Sequence, residues 1–248
     1  MDSLVATAGS GMRSRIETLD LLANNIANAG TAGYKADEES YNTYFGQSAW
    51  EGYDEGRPDS AEMPVVQRNW TDFSQGTLVP TGNNSDLALT SQGFFTVDTP
   101  TGQLYTRNGH LRVSRNGELQ TQEGYALRGI TGKSIVVDPN RNFEVTGSGE
   151  VRQDGTAIGT LAIMNGSNPS SAGKTGSGYF SFSPGTKVQA VANPEVAQGR
   201  VEMSNVTPAT AAVKLVNVMR SFEMLQKAVM MASEMNKKVV EEVARVTA

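Results

Sequence analysis

Residues 207–248 read TPATAAVKLVNVMRSFEMLQKAVMMASEMNKKVVEEVARVTA and contain no glycine and no proline after Pro208. Thr207 followed by Pro208 is typical of a helix start, because proline at the first helical position lacks only an N–H group that would have no helical partner. Apolar side chains then recur at steps of three or four residues, which predicts one apolar helix face. The face comprises Leu215, Met219, Phe222, Leu225, Val229, Ala232, Met235, Val239, Val243 and Val246. A helix of about forty residues is on the order of 60 Å long, which is more than a compact domain of this size needs.

A second apolar stripe predicts a helix over residues 3–28, near the other end of the sequence. Its members are Val5, Ala8, Met12, Ile16, Leu19, Ala23 and Ile26. Asn28, Gly30 and Gly33 follow, and these residue types tolerate the left-handed conformation at which helices end.

The middle of the chain is predicted to be β-rich, because glycine or proline interrupts residues 76–199 every few positions. The turn pairs Thr101-Gly102, Asn108-Gly109, Asn116-Gly117 and Glu123-Gly124 predict a meander of hairpins. The predicted strands are Phe94–Val97, Leu104–Arg107, Leu111–Ser114, Leu119–Thr121, Ile135–Val137, Phe143–Val145, Glu150–Gln153, Ile158–Met164, Tyr179–Phe182 and Val188–Val191. Residues 165–178 are rich in Gly, Ser and Asn and are predicted to form an exposed loop.

The net charge of -5 is concentrated in one segment. Residues 36–80 hold nine acidic and two basic side chains, together with Tyr41, Tyr44, Phe45, Trp50, Tyr53 and Trp70. This composition favours a solvated connection whose aromatic side chains pack on a neighbouring domain; a specific ligand surface is the alternative.

The composition excludes most catalytic chemistry. With no cysteine and a single histidine, His110, the chain cannot build a thiol site, a cysteine zinc site or a nucleophilic triad. Gly132-Lys133-Ser134 and Gly173-Lys174-Thr175 lack the earlier glycine of a phosphate-binding loop. Carboxylates that adjoin turns are the remaining catalytic option, and turn formation is the simpler role for them: Asp86, Asp98, Glu118, Asp138, Glu150 and Asp154. We therefore predict no catalytic residue, no cofactor, no metal site and no small-molecule substrate.

Composition also limits the partners. A pI near 5.1 disfavours a nucleic-acid partner, and charges or Gly/Asn clusters interrupt every apolar stretch before about 18 residues, which disfavours membrane insertion. Residues 1–12 carry no Lys or Arg, so a cleaved secretory signal is not expected.

Both apolar stripes are expected to be buried against a packing partner. They can pack against each other as an antiparallel pair, and they can pack against neighbouring copies in a multi-subunit bundle. The alternative is an ordinary α+β domain in which the two helices cover a sheet. The five methionines from Met219 onward favour neighbours, because unbranched Met side chains adapt to several slightly different partners.

Several ordered blocks of the chain resemble the bacterial flagellar axial proteins, the rod and hook family of the basal body. The blocks are ANNIANAGTAGYK at residues 23–35, DLAL at 86–89 with QGFF at 92–95, YTRNG at 105–109, QGRVEMSNV at 198–206 and SFEM at 221–224. The chain length and the Phe222-Glu223-Met224 context resemble the proximal rod subfamily most, with the distal rod subfamily second. The resemblance implies a structural subunit of the flagellar rod, the hollow drive shaft that transmits torque from motor to hook.

The resemblance also implies an organisation. The fold class is α+β, with terminal helices forming a coiled-coil-like pair around an inserted, mainly antiparallel β domain. Residues 1–35 supply the N-terminal helix of an inner helical domain, 36–80 the acidic aromatic connecting segment, 81–203 the β-rich outer domain and 204–248 the C-terminal long helix of the inner domain. Its implied partners are copies of itself, other rod proteins and the flagellar type III export apparatus, and its implied location is the periplasmic rod, reached by export without a cleaved signal peptide.

The predicted assembly interface lies on the two helices. It comprises Leu19, Leu22, Asn24, Asn25, Ile26, Asn28, Leu215, Met219, Phe222, Leu225 and Val229. The apolar members would pair the helices, while the asparagines would either fix register or simply end the first helix. Two competing functions remain: another axial subunit such as the hook protein, and a polysaccharide-binding or polysaccharide-acting β protein that uses residues 36–75.

Overall fold

A computed structural model of the chain describes residues 2–45, 62–167, 171–176 and 178–246. The chain divides into two compact units. The first unit, called the helical unit, comprises Met1–Ala27, Asp37–Trp70 and Thr207–Ala248, and the second, called the β unit, comprises Asn28–Ala36 and Thr71–Val206. Each unit is therefore assembled from segments that are distant in sequence.

The helical unit contains two long helices, as the sequence predicts. Helix α1 spans Asp2–Ala27 and helix α2 spans Pro208–Val246. Helix α2 begins at the predicted proline, and the Ala211 N–H donates to the Thr207 carbonyl at 3.0 Å. After α1 the chain turns, with the Thr31 N–H donating to the Asn28 carbonyl at 3.0 Å.

The buried face of α1 differs from the predicted one. Its buried members recur at heptad-like steps: Ala8, Gly11, Ser14, Thr18, Leu22 and Asn25. Ile16 of the predicted stripe is 48% exposed and Ala23 is exposed as well. Small side chains occupy the buried seam because they let a neighbouring helix approach closely, whereas the larger predicted residues flank it.

Helix α2 places its least exposed residues at alternating steps of four and three. These positions include Ala211, Leu215, Val218, Phe222, Leu225, Val229, Ala232 and Asn236. Met219, Met235 and Val239 of the predicted stripe are instead exposed. Helices α1 and α2 contact each other, and a Cβ atom added to Gly11 would lie 3.4 Å from the side chain of Leu225.

The helical unit also contains a two-stranded sheet. Strand β1 (Asp37–Phe45) pairs with strand β2 (Glu62–Thr71). The acidic aromatic segment thus contributes strands, which its composition did not predict, because acidic residues are depleted in strands. The packing predicted for Tyr41, Tyr44, Phe45, Trp50 and Tyr53 concerns side chains outside the described residues, while Trp70 is 44% exposed.

The β unit is built from short strands. They are β3 (Leu78–Pro80), β4 (Leu87–Leu89), β5 (Phe94–Thr99), β6 (Gly102–Thr106), β7 (Leu111–Val113), β8 (Leu119–Thr121), β9 (Ala126–Leu127), β10 (Phe143–Val145), β11 (Glu150–Gln153), β12 (Thr156–Thr160), β13 (Ile163–Gly166), β14 (Ala172–Lys174), β15 (Tyr179–Phe182), β16 (Val188–Ala190), β17 (Val196–Gln198) and β18 (Arg200–Glu202).

Among the described residues, the largest sheet runs in the order β14-β15-β6-β5-β9-β8-β7, and β13 joins β5 to β16. Three smaller sheets contain β10-β11-β12, β17-β4 and β18-β3. The register is antiparallel for these pairs, which confirms a mainly antiparallel α+β fold. The larger apolar core gathers residues such as Leu87, Phe95 and Leu119, and a smaller one gathers Phe94, Tyr105, Ala172 and Phe180.

Three of the four predicted hairpin turns are confirmed, at Thr101-Gly102, Asn116-Gly117 and Glu123-Gly124. The prediction at Asn108-Gly109 is wrong, because β6 pairs with β5 and β15 while β7 pairs with β8. The chain at Asn108-Gly109 instead passes β4, where the Leu87 N–H donates to the Gly109 carbonyl at 2.9 Å. Glycine therefore serves a close backbone approach at this position.

Two other local predictions need correction. Ile135–Val137 forms only an isolated bridge between Val136 and Glu118, although Ile135 and Val137 are buried. Residues 165–178 are not one exposed loop, because β13 extends to Gly166 and β14 occupies Ala172–Lys174. In both places the apolar or glycine-rich run is too short for hydrophobic periodicity to predict its secondary structure.

Replacing Gly109 with alanine is expected to destabilise the β unit. A Cβ atom at this position would lie 1.6 Å from the Leu87 carbonyl oxygen, so the backbone would have to move. We expect Gly109→Ala to lower the free energy of unfolding by about 3 kcal/mol in urea titrations. Gly147→Ala is the matched control, since nothing lies within 4 Å of its added Cβ, and it should change the value by less than about 1 kcal/mol. Equal values for the two variants would contradict this.

Candidate assembly surface and a buried charge cluster

The predicted interface residues of α1 occupy three environments. Leu22 and Asn25 are buried, Leu19 and Ile26 are half-buried and Asn24 is exposed. Asn28 is half-buried and lies beyond the helix, in the β unit.

The predicted interface residues of α2 are less covered. Leu215, Phe222, Leu225 and Val229 are half-buried, whereas Met219 is 48% exposed. Gly11 of α1 lies next to Leu225 of α2. Gly11 was not among the predicted interface residues, and its spacing from Leu22 and Asn25 is the signal that could have identified it.

Large apolar side chains remain exposed along α2. They are Val213, Val216, Met219, Met224, Met230, Met231, Met235, Val239 and Val240, and the exposed fractions range from 47% for Val216 to 68% for Val240. We call this set the α2 apolar surface. Exposed apolar side chains in this number along one helix favour an interaction surface.

Asn25 binds the backbone of β1 with both ends of its amide. Its Nδ2 donates to the Asp37 carbonyl at 2.8 Å, and its Oδ1 accepts the Asp37 N–H at 3.0 Å. Asn25 is 5% exposed. A buried amide tolerates only the pairing that satisfies both groups, so Asn25 fixes the start of β1 beside α1.

The β unit contains a buried three-charge cluster that sequence reasoning missed. Lys35 Nζ lies 2.6 Å from Glu202 Oε1, and Arg107 Nη1 lies 3.2 Å from Glu202 Oε2. The side chains of Lys35 and Glu202 are 0% exposed and that of Arg107 is 7% exposed. We call these three residues the Glu202 cluster.

Further hydrogen bonds satisfy the Glu202 cluster. Glu202 Oε1 also accepts the Gly76 N–H at 3.0 Å, and Lys35 Nζ donates to the Ser74 carbonyl at 2.6 Å. The Arg107 guanidinium lies 5.6 Å from the Phe94 ring centroid, a favourable distance for a cation–π contact. The cluster therefore joins residues from four separate parts of the β unit.

Burial dominates the electrostatics of the cluster. It lowers the pKa of the Lys35 ammonium below its ordinary value, and attraction to Glu202 only partly opposes this effect. The pKa of the Arg107 guanidinium is lowered for the same reason, with Glu202 again acting in the opposite direction. Two cations share one carboxylate, so Glu202 is the residue on which both depend.

A second polar set surrounds the cluster. The Gly33 N–H donates to the Glu202 carbonyl at 2.7 Å, and the Ala36 N–H donates to Asn205 Oδ1 at 2.7 Å. Asn205 Nδ2 donates to the Asp72 carbonyl at 2.9 Å, while the Asp72 N–H donates to the Ala36 carbonyl at 2.8 Å. The segment after α1 is thus bound directly to the segment before α2.

The signal for these residues was present in the sequence blocks themselves. Lys35 ends the first block, Arg107 lies in YTRNG, and Glu202 and Asn205 lie in QGRVEMSNV. Periodicity could not reveal them, because it reports which residues face a core and not which charges meet across more than 160 residues.

The carboxylates considered for catalysis have structural partners. Asp98 pairs with Arg128, Asp154 and Asp138 pair with Arg141, and Glu150 pairs with Arg152. Asp86 lies 2.9 Å from His110 Nδ1, and Glu118 accepts hydrogen bonds from Gln120 and Ser134. In the described ranges, no group of three His, Cys, Asp or Glu side chains is arranged to hold a metal ion. Nor does any described helix have the length and apolar character needed to cross a membrane.

Comparison with known families gives three matches along the chain. Residues 6–35 match the flagella basal body rod protein family, residues 88–153 the flagellar hook protein FlgE/F/G D1 domain and residues 197–242 the flagellar basal body rod FlgEFG protein C-terminal region. The first match contains Lys35, the second Arg107 and the third Glu202.

Curated relatives match over nearly the whole length. The flagellar basal-body rod protein FlgF of Caulobacter vibrioides is 30% identical over 248 residues, which covers 99% of this chain and 100% of the relative. FlgG of Agrobacterium fabrum is 30% identical and FlgG of Bacillus subtilis 28% identical, each over 93% of this chain and 95% of the relative.

Neutralising Glu202 is expected to cost more than neutralising either of its partners. Glu202→Gln leaves two buried cations without an anion, so we expect a loss of about 3–5 kcal/mol in the free energy of unfolding. Lys35→Met is the matched control, because it leaves a balanced Arg107–Glu202 pair and should cost less than about 2 kcal/mol. Urea titration of both full-length variants measures the difference, and a Lys35→Met loss as large as that of Glu202→Gln would contradict the assignment.

Proposed function

This chain belongs to the family of flagellar basal-body rod proteins, and on that premise we propose how it works as a rod subunit: copies assemble through their terminal helices into a hollow shaft that transmits torque from motor to hook. The family is a structural one and not an enzyme family. The chain is therefore a structural subunit of the basal-body rod, and this replaces the polysaccharide alternative.

The single observation that carries the assembly mechanism is the α2 apolar surface. Transferring apolar side chains from water contributes roughly 1.5–3 kcal/mol for each large one fully buried. The exposed methionines suit contacts with neighbours in slightly different positions, because their side chains are unbranched and flexible. We assign this surface to packing between copies.

The pairing of α1 with α2 within one copy is the second part of the proposal. The least exposed residues of α2 follow a heptad spacing, and the buried residues of α1 nearly do, which favours coiled-coil packing. Leu19, Leu22 and Ile26 would then meet the half-buried apolar residues of α2. Asn25 would hold β1 against α1, through the hydrogen bonds that it makes with Asp37.

The lengths of the helices leave part of α2 available to other copies. Helix α1 has 26 residues and α2 has 39. With Gly11 opposite Leu225, an antiparallel pair at about 1.5 Å per residue would place Asp2 near Glu234. The exposed Met235, Val239 and Val240 lie beyond that point, so α1 would leave them free to pack against another subunit.

The proposal also covers the partners of the chain and its route of export. Other rod proteins would continue the shaft at its ends, and the flagellar type III apparatus would export the chain to the basal body. Its place in the rod follows from the family, whereas export without a cleaved signal peptide is part of the proposal.

Truncating Phe222 is expected to weaken assembly more than it weakens the β unit. Phe222 is a half-buried heptad position of α2, and its ring would fill the seam between helices. We expect Phe222→Ala to reduce swimming of a complemented deletion strain at least about tenfold. Gln226→Ala, an exposed polar position one turn away, is the control and should restore swimming fully. Equal swimming of both strains would contradict the role of Phe222.

The end of α2 beyond Glu234, which α1 does not reach in the proposed pair, is expected to be incompletely ordered in dilute monomer. Apolar surface that is buried only against other copies cannot stabilise a helix before assembly, so ordering and association should be coupled. Circular dichroism over a concentration series should show helix content rising with concentration, with sedimentation defining the monomer. Full helix content in a proven monomer would overturn this coupling.

A further inference from the structure

We infer that the Glu202 cluster and Asn205 form a clamp that sets the register in which α1 pairs with α2. The inference rests on the proposed helix pairing and assigns positioning roles to residues outside the helices. The clamp consists of Lys35, Asp72, Arg107, Glu202 and Asn205, all within the β unit.

The clamp holds two segments that are distant in sequence. Residues 33–36 are bound to residues 202–205 by the Gly33 to Glu202 backbone bond, the Lys35–Glu202 ion pair and the Ala36 to Asn205 bond, each 2.6–2.7 Å long. Asp72 closes the arrangement by bonding to both Ala36 and Asn205. These contacts are saturated, so the two segments have one low-energy alignment.

Little chain separates the clamp from either helix. Five residues lie between Ala27 and Gly33, and two lie between Asn205 and Pro208. Extended chain covers at most about 3.6 Å per residue, so the clamp ties the last residue of α1 and the first residue of α2 on tethers of roughly 20 Å and 11 Å. A slip of one helix along the other by a heptad, about 10.5 Å, would have to be taken up by these two short tethers.

The clamp also raises the effective concentration of one helix at the other. With the clamp in place, the two tethers together count fewer than about ten residues, whereas a released segment 28–36 would be a longer flexible connection. Because the cost of loop closure rises with length, the shorter connection favours the pairing of α1 with α2.

A clamp of this kind is useful because the helix seam alone specifies register weakly. A heptad pattern repeats every seven residues, so a slip by one heptad again places heptad positions opposite each other. Gly11 would then face Val218 or Ala232 instead of Leu225. The Asn25 to Asp37 bonds fix β1 on α1, but they do not bind α2.

Disulfide trapping in the full chain tests the clamp, because the native sequence contains no cysteine. Gly11→Cys is combined in turn with Leu225→Cys, Val218→Cys and Ala232→Cys, and each pair is equilibrated in a glutathione buffer at monomer concentration. The ratio of the 11–225 disulfide to the other two reports the register. We expect at least about a tenfold preference for 11–225 in the parent chain, because that pair alone matches the clamped alignment.

Three changes then release the clamp in different ways. Asn205→Ala removes the bonds to Ala36 and Asp72. The double variant Asn205→Ala with Lys35→Met also removes the Lys35–Glu202 ion pair. A Gly-Ser-Gly insertion between Val206 and Thr207 lengthens one tether while keeping every clamp contact. Gln153→Ala is the matched control, because that amide makes similar backbone bonds to Asp138 and Arg141 elsewhere in the β unit.

The clamp predicts that the 11–225 preference falls below about threefold in the released variants and is kept in Gln153→Ala. Hydrogen exchange of the β5 and β6 amides verifies that the β unit stays folded, and the insertion variant carries the test where a substitution unfolds it. A preference kept after insertion overturns the clamp and leaves the rod assignment intact. Failure of all three disulfides in the parent would instead overturn the helix pairing on which the inference rests.

Discussion

The rest of the β unit depends on the two ion pairs of the buried Glu202 carboxylate. This carboxylate is the shared anion for Lys35 and Arg107 and also accepts a backbone N–H from Gly76. Removing two cations from water is expensive, and one carboxylate compensates both only when every distance is short and every other lone pair is used. The cluster is therefore an arrangement that tolerates little displacement, and it joins segments that apolar packing alone would hold less specifically.

The subunit uses two kinds of contact for two purposes. Within the β unit, contacts between distant segments are polar and saturated, and they define one arrangement. Along α2 the exposed large side chains are apolar, and the methionines among them can adapt to several arrangements. The proposed shaft of many copies would need both properties, because each subunit would have to keep its own shape while its neighbours differ in position.

The sequence predicted those features that depend on local pattern. Both helices, three of the four hairpin turns and most strands follow from periodicity and turn chemistry. The buried face of α1 did not, because its seam consists of Ala8, Gly11, Ser14 and Thr18, which a search for large apolar residues passes over. Strand β1 was missed because Asp37, Glu38 and Glu39 mask the strand signal, and β2 was missed because Pro64 interrupts it. The Glu202 cluster was missed because it unites three distant sequence blocks.

The small residues of the α1 seam explain why the larger ones remain for other contacts. A helix that presents Ala8 and Gly11 to its partner allows the two backbones to approach closely, and the leucines and valines of α2 can fill the space between them. Met12, Leu19 and Ile26 are half-buried on the flank of that seam and are spaced seven residues apart, so they form a second stripe beside the first. In the proposed coiled-coil pair, this second stripe would stay in line along the length of α1. Close packing between the two helices would thus leave the flank of α1 and the exposed apolar residues of α2 available for the proposed packing between copies.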